Sequence, residues 1–213
     1  VGRRAGRRAA RRPGRVSLHA DALALLSGWP APDAGQEELR ERYVAQLRAD
    51  PDALRREGRP DHLTASTLVL SADRQRVLLT LHAKARRWFQ LGGHCEDADP
   101  TLAAAALREA TEESGLGDLR LDPVPVQLSA HPVPFCGGPP ERPVHHLDVR
   151  FVVLAADEQH ALSEESLDLR WWPVDALPDP EADLVELVRL ARARLGAQSG
   201  SSPSSRAADQ PIR

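Results

Sequence analysis

The sequence predicts an α+β fold in which a mixed sheet carries helices on both faces, with a small helical extension at the N-terminal side. Three observations lead there. Strand-like runs begin only after residue 63, helical stretches interrupt them without a regular βαβ repeat, and 213 residues at 41% hydrophobic content supply one sizeable core.

The elements follow in chain order. Residues 1–16 (VGRRAGRRAARRPGRV) hold no hydrophobic period and read as a disordered basic arm. Residues 17–60 form the extension. Ser17 caps a helix through Leu26 that closes at Gly28, and Pro30 and Pro32 then break the chain. A second helix from Gly35 to Ala49 sets Leu39, Tyr43, Val44 and Leu47 on one stripe, and Asp50-Pro51 begins a further turn. A domain over 61–197 follows. Thr64–Ser71 and Arg76–His82 form a hairpin across the polar turn 72–75, and Trp88–Leu91 reads as a short strand stopped by Gly92-Gly93. A helix spans Thr101–Ser114, and Pro-interrupted extended chain runs from Leu119 to Phe135. His145–Ala155 and Leu169–Val174 are strands. The last helix, Glu181–Leu195, turns Leu184, Leu187, Val188, Ala191 and Leu195 inward, with Gly196 closing it. Residues 198–213, rich in Ser, Pro and Gly, read as a disordered tail.

Composition removes several classes. The formal net charge of −3 conceals a division, because residues 1–15 hold seven of the 28 basic groups and no acid. The remaining 198 residues carry 21 basic and 31 acidic groups, a net −10. An acidic body argues against nucleic acid as a partner, and the arm is read as a solvated tail or an over-extended gene start. Lys84 is the one lysine against 27 arginines, a coding bias of high-GC bacteria more than a chemical signal. No Met occurs and the chain opens on Val1, which suits a GTG-encoded start or a truncated chain. No apolar stretch approaches ~20 residues, so no membrane helix is expected. Cys95 and Cys136 are read as free thiols of a reducing, cytoplasmic compartment.

The chemistry concentrates in Gly92–Leu116, GGHCEDADPTLAAAALREATEESGL. On a helix turning ~100° per residue, Glu109, Glu112 and Glu113 share one arc, while Ala103, Ala106, Leu107 and Ala110 form a face small enough to approach a sheet closely. Like charges at i, i+3 and i+4 repel, and they sit at the helix end where the dipole disfavours anions. Bound Mg²⁺ or Mn²⁺, which takes hard oxygen ligands and substrate phosphates, would offset that repulsion.

The segment resembles the Nudix box, G-x5-E-x7-R-E-U-x-E-E-x-G-U with U aliphatic. Arg108 to Leu116 (REATEESGL) matches every fixed position of its second half, and Gly93 matches its first glycine. Between them Asp99 replaces Glu, and eight residues instead of seven separate it from Arg108, a one-residue insertion in the loop. The resemblance implies a Nudix-type α/β/α sandwich and a Mg²⁺-dependent pyrophosphohydrolase of nucleoside diphosphates linked to another moiety. It implies metal ligation by Glu112 and Glu113, joined by Glu109 as ligand or general base, and by the Gly93 carbonyl. Arg108 would orient Glu109 and Glu112.

Outside the box, Lys84, Arg86 and Arg87 are candidates to hold substrate phosphates, and Glu164 or Glu165 could bring a further carboxylate to substrate on a late loop. Trp171 and Trp172 point to opposite faces of a strand and are read as packing residues. Asp148 and Arg150 share a polar strand face with His146 and could meet substrate or brace the box helix. A Zn²⁺ site is not expected there, because no third ligand is spaced for it. Pro132 lies 16 residues after Leu116, the spacing of a proline in ADP-ribose-cleaving Nudix enzymes, which favours an ADP-ribose-like or dinucleotide substrate. The alternative is a Nudix-fold nucleotide-sensing module without turnover. Residues 17–57 could serve as a lid or a homodimer contact.

Overall fold

The computed structural model describes residues 17–56, 61–136, 143–159, 166–178 and 181–199. The Arg-rich arm and the tail from residue 200 onward lie outside them, as do Glu164 and Glu165.

Two capped helices open the described chain. In α1 (Leu18–Gly28) the Ser17 side chain accepts the Ala20 amide at 3.2 Å, and in α2 (Ala34–Ala49) Asp33 accepts the Gln36 amide at 2.9 Å. Each cap satisfies an N–H that has no partner inside its helix. Seven strands among the described residues build one sheet: β1 (His62–Leu70), β2 (Arg76–His82), β3 (Trp88–Phe89), β4 (Leu91–His94), β5 (Leu119–Pro132), β6 (His145–Ala155) and β7 (Ser166–Pro173). Their order is β3-β2-β1-β6-β5, with β4 paired to β1 and β7 to β2. The β1–β6 pair is parallel and the others antiparallel, so the sheet is mixed as the sequence predicts.

Alternation along the strands divides the core into layers. Leu68, Leu70 and Val152 face α4 (Ala182–Ser199) through Leu184, Leu187, Val188, Ala191 and Leu195. On the other face, Leu63, Ala65, Val149 and Phe151 pack with α1, α2 and α3 (Leu102–Ser114), and Val69 and Val153 pack with Ala110 and Leu116. Each fully buried Leu or Phe contributes about 1.5–3 kcal/mol. Trp172 joins the α4 layer, edge-on to Trp88 at 5.3 Å between ring centroids, and Trp171 joins the α3 layer.

The extension is fastened to the domain by polar contacts as well as apolar ones. Gln36 reads the edge strand as a neighbouring strand would: its Nε2 donates to the Leu128 carbonyl at 3.0 Å and its Oε1 accepts the Leu128 amide at 2.6 Å. Trp29 Nε1 donates to the Pro125 carbonyl at 2.7 Å, and the Leu63 amide donates to the Ala53 carbonyl at 2.8 Å.

Three elements differ from the sequence reading. Gly92 and Gly93 do not stop a strand but lie within β4, because β1 offers them a partner in register, Ser66 opposite Gly92 and Ala65 opposite Gly93. The Pro-rich run forms one 14-residue strand whose register shifts between Asp122 and Gln127. Pro123 and Pro125 fall in that irregular stretch, where the missing N–H breaks no ladder bond. Finally α4 continues through Gly196 to Ser199. A glycine in an exposed helix costs only about 1 kcal/mol relative to alanine, and no proline follows until Pro203.

Candidate active site

The box helix α3 is set by its own residues at both ends. The Thr101 hydroxyl accepts the Ala104 amide at 3.0 Å, and Gly115 closes the helix in the left-handed region at φ 68°. The Leu102 amide donates to Asp21 Oδ2 of α1 at 3.0 Å, so the extension supplies a second acceptor to the same N-terminus. The buried face comprises Leu102, Ala105, Ala106, Ala110 and Ser114, with Ala103 and Leu107 only partly covered. Small side chains there let the helix lie against β1 and β4.

That closeness shapes the backbone at the two glycines. A Cβ on Gly92, at φ 153°, would stand 2.3 Å from Ser66 Cβ and 2.4 Å from its Cα. A Cβ on Gly93 would stand 2.7 Å from Glu109 Oε2. Only glycine leaves room for the strand beside β1 and for the carboxylate beside the strand.

Arg108 is the hub of the site. Its Nη1 donates to Glu109 Oε1 and Glu112 Oε2, both at 3.0 Å. Its Nε and Nη2 donate to the two Asp99 oxygens at 3.1 and 3.0 Å, and Nη2 also reaches the His94 carbonyl at 3.0 Å. All five guanidinium N–H groups therefore have an acceptor. Asp99 first, then Glu109, hold the Arg108 guanidinium above its ordinary pKa. Asp99 is buried and also accepts the Glu96 amide at 2.8 Å. The loop insertion thus delivers a shorter acid to the arginine with two-point geometry, a role the sequence reading did not assign it. The signal available was an acid just upstream of an arginine flanked by carboxylates.

The carboxylates differ in exposure: the Glu109 side chain is 17% exposed and that of Glu112 59%. Glu113 is half-buried, and its Oε2 accepts the Gly92 amide at 3.4 Å. A shallow hollow of about 370 Å³ lies against Leu107, Arg108, Thr111 and Glu112. A larger cleft of about 570 Å³ opens between α1 and the loop before α3, lined in part by Leu18, Leu54, Arg55, Cys95 and Asp99. Burial pushes the Cys95 thiol up to about 12, which makes it inert as a nucleophile at neutral pH.

Other candidates fall elsewhere. Lys84, Arg86 and Arg87 are exposed on the β2–β3 hairpin, and Arg87 is ion-paired with Glu181 ahead of α4. Asp148 and Arg150 pair at 2.9 Å, both buried, and Arg150 donates to Gln127 at 2.9 Å and to Asp183 of α4 at 2.6 Å. The Thr64 and Ser66 hydroxyls and the Gln90 amide complete the Asp148 carboxylate. Burial raises that carboxyl, and Arg150, His131 and Ser66 outweigh it, leaving the group below the usual carboxylate range. This network braces α4, on the face of the sheet away from the box helix.

One expectation is overturned in geometry. His146 has three potential co-ligands, His62, His94 and Cys136, drawn from separate strands and a turn, all with ligand atoms within 4.8 Å of one another. No local spacing reveals them, because strand pairing brings them together: His62 lies opposite His146, and His94 opposite Thr64 on the strand flanking β1. Burial first, then His94, His62 and His131, push the His146 imidazole down to about 3.

Known proteins share this architecture. The NUDIX domain family matches residues 60–190, and the chain belongs to that family. Among solved structures, a C. elegans Ap4A hydrolase binary complex aligns with TM-score 0.51 at 16% identity, over 63% of this chain and 98% of that one. A NUDIX-family hydrolase from Clostridium perfringens aligns with TM-score 0.49 at 24% identity, over 62% and 97%. The NUDIX domain of Shewanella oneidensis NrtR complexed with ADP ribose gives TM-score 0.49 at 21% identity, over 73% and 97%. No curated protein matches the sequence. No helix among the described residues is long and apolar enough to cross a membrane.

Proposed function

We propose that this Nudix-family protein is a pyrophosphohydrolase that uses Mg²⁺, or Mn²⁺ in its place, to cleave the diphosphate linkage of a small nucleotide derivative. The favoured class is an ADP-ribose-like molecule or a dinucleotide. The observation that carries the reading is the Arg108 hub, which gathers Glu109 and Glu112 beside the Gly93 backbone with every guanidinium donor engaged.

The residues fit a hard divalent cation. Glu109, Glu112 and Glu113 share one helix face, next to a glycine whose side-chain position is filled by Glu109, and offer only oxygen donors to an ion. Glu112 and Glu113 would be the principal ligands, with Glu109 as ligand or general base and the Gly93 carbonyl completing the protein's share. The bound ion would neutralise phosphate oxygens and lower the pKa of an attacking water. Arg108 positions Glu109 and Glu112, and Asp99 positions Arg108. Substrate preference rests on Pro132, at the end of β5, and Lys84 and Arg86 are the exposed cations offered to phosphate.

The test is phosphate or nucleotide release with Mg²⁺ across ADP-ribose, dinucleotides, nucleotide sugars and nucleoside triphosphates. Glu112→Gln and Glu113→Gln should each abolish release with an unchanged circular dichroism spectrum. Wild-type rates in both variants overturn the assignment, and tight nucleotide binding without release would identify a sensing module instead.

A further inference from the structure

We propose that His62, His94, Cys136 and His146 form a structural Zn²⁺ site on the face of the sheet opposite the box carboxylates. The observations behind it are geometric. Cys136 Sγ stands 3.3 Å from His94 Nε2 and 3.3 Å from His146 Nε2. The three imidazoles form a closed triangle, with ring centroids 5.1 Å apart for His62–His94 and 5.0 Å apart for His62–His146 and His94–His146. Zn–S of about 2.3 Å and Zn–N of about 2.0–2.1 Å in a tetrahedron place S and N roughly 3.6 Å apart and two nitrogens roughly 3.3 Å apart. The two Cys136 distances fall within a few tenths of an ångström of that geometry, and all four ligand atoms already lie within 4.8 Å of one another.

The donor set selects the metal. Three imidazoles and one thiolate, with no carboxylate among them, suit a borderline-soft ion and not Mg²⁺ or Mn²⁺. Four protein ligands leave no open coordination position, which is the pattern of a structural site. His62 is buried, and the other three are half-buried.

The ligands come from four places in the fold. His62 begins β1, His94 ends β4, His146 lies in β6, and Cys136 ends a 3-10 turn (Pro134–Cys136) that follows β5. The turn is otherwise held by the Val133 amide on the Val144 carbonyl at 2.7 Å and by the Cys136 amide on the Val133 carbonyl at 3.1 Å. An ion bound by all four would pin the chain leaving β5 to the ends of three strands. It would also fix β4 from one side while Arg108 holds the His94 carbonyl from the other. Gly93, the residue before His94, packs against Glu109 on the other face of that strand. The two metal centres would thus stand back to back across one strand, chemically distinct and independently loadable.

The experiment uses the full chain, stripped with chelator, reloaded with ZnCl₂, desalted and assayed for metal content. The wild type should retain about one Zn²⁺ per chain, and Cys136→Ser and His146→Gln should each lose most of it. Glu112→Gln/Glu113→Gln should keep it, which separates this site from the carboxylates and from the activity reading. Replacement by Co²⁺ gives a readout that needs no variant: intense visible bands of tetrahedral cobalt together with a thiolate-to-cobalt charge-transfer band. Zn²⁺ should raise Tm by several degrees in the wild type and not in Cys136→Ser. A wild type that emerges metal-free from reloading overturns the proposal. So does Zn²⁺ that survives both ligand substitutions or disappears in the Glu112→Gln/Glu113→Gln protein, and so does a six-coordinate cobalt spectrum. If the variants fail to fold, the wild-type stoichiometry and cobalt spectrum alone decide it.

Discussion

Gly93 and Glu109 occupy one another's space: a Cβ on the glycine would meet Glu109 Oε2 at 2.7 Å and its Cδ at 2.9 Å. The neighbour is the end of a flexible side chain, so the clash can be relieved by moving the carboxylate. Gly93→Ala should therefore fold with Tm within a few degrees of wild type while kcat falls on the order of 10-fold or more. Gly92→Ala is the contrast, because its Cβ would meet Ser66 Cα at 2.4 Å at a φ of 153°. It should destabilise by on the order of 3 kcal/mol. Urea unfolding and steady-state rates on both proteins check the pair.

Asp99 holds Arg108 at two points from a buried position. Asp99→Asn should keep the loop but weaken the grip on the arginine, lowering kcat/KM about 10- to 100-fold, the range typical for groups that orient metal ligands. A wild-type rate would show that Glu109 and Glu112 hold Arg108 in place unaided.

Asp21 accepts the Leu102 amide at the start of α3. Asp21→Ala removes an acceptor and a favourable charge at the helix N-terminus, and should cost about 0.5–1 kcal/mol. Hydrogen exchange should localise the loss to the first turn of α3. Unchanged protection there would mean that the Thr101 cap suffices.

Asp148 is a buried carboxylate completed by Arg150, Thr64, Ser66 and Gln90. Asp148→Ala leaves the Arg150 charge buried with Asp183 as its remaining anion, and should destabilise by about 3–5 kcal/mol. Denaturant titration measures it, and a loss below 1 kcal/mol would show that Asp183 and Gln127 satisfy the arginine alone.

Features that depend on neighbours along the chain are legible before the protein folds. Helix period places Glu109, Glu112 and Glu113 on one arc of a helix over Thr101–Ser114. Alternation puts His146, Asp148 and Arg150 on one side of β6 and parts Trp171 from Trp172. Which distant groups meet is set by strand pairing and helix packing. Asp99 reaches Arg108 because the loop folds back over the helix start, and Gly92-Gly93 became strand because β1 offered a paired edge. Asp148 and Arg150 brace α4 because β6 turns that face toward it. His62 and His146, 84 positions apart, became neighbours only when β1 and β6 paired in parallel. A local spacing rule sees one turn of helix or two residues of strand, whereas a four-ligand cluster assembled from β1, β4, β6 and a turn exists only after the sheet has closed.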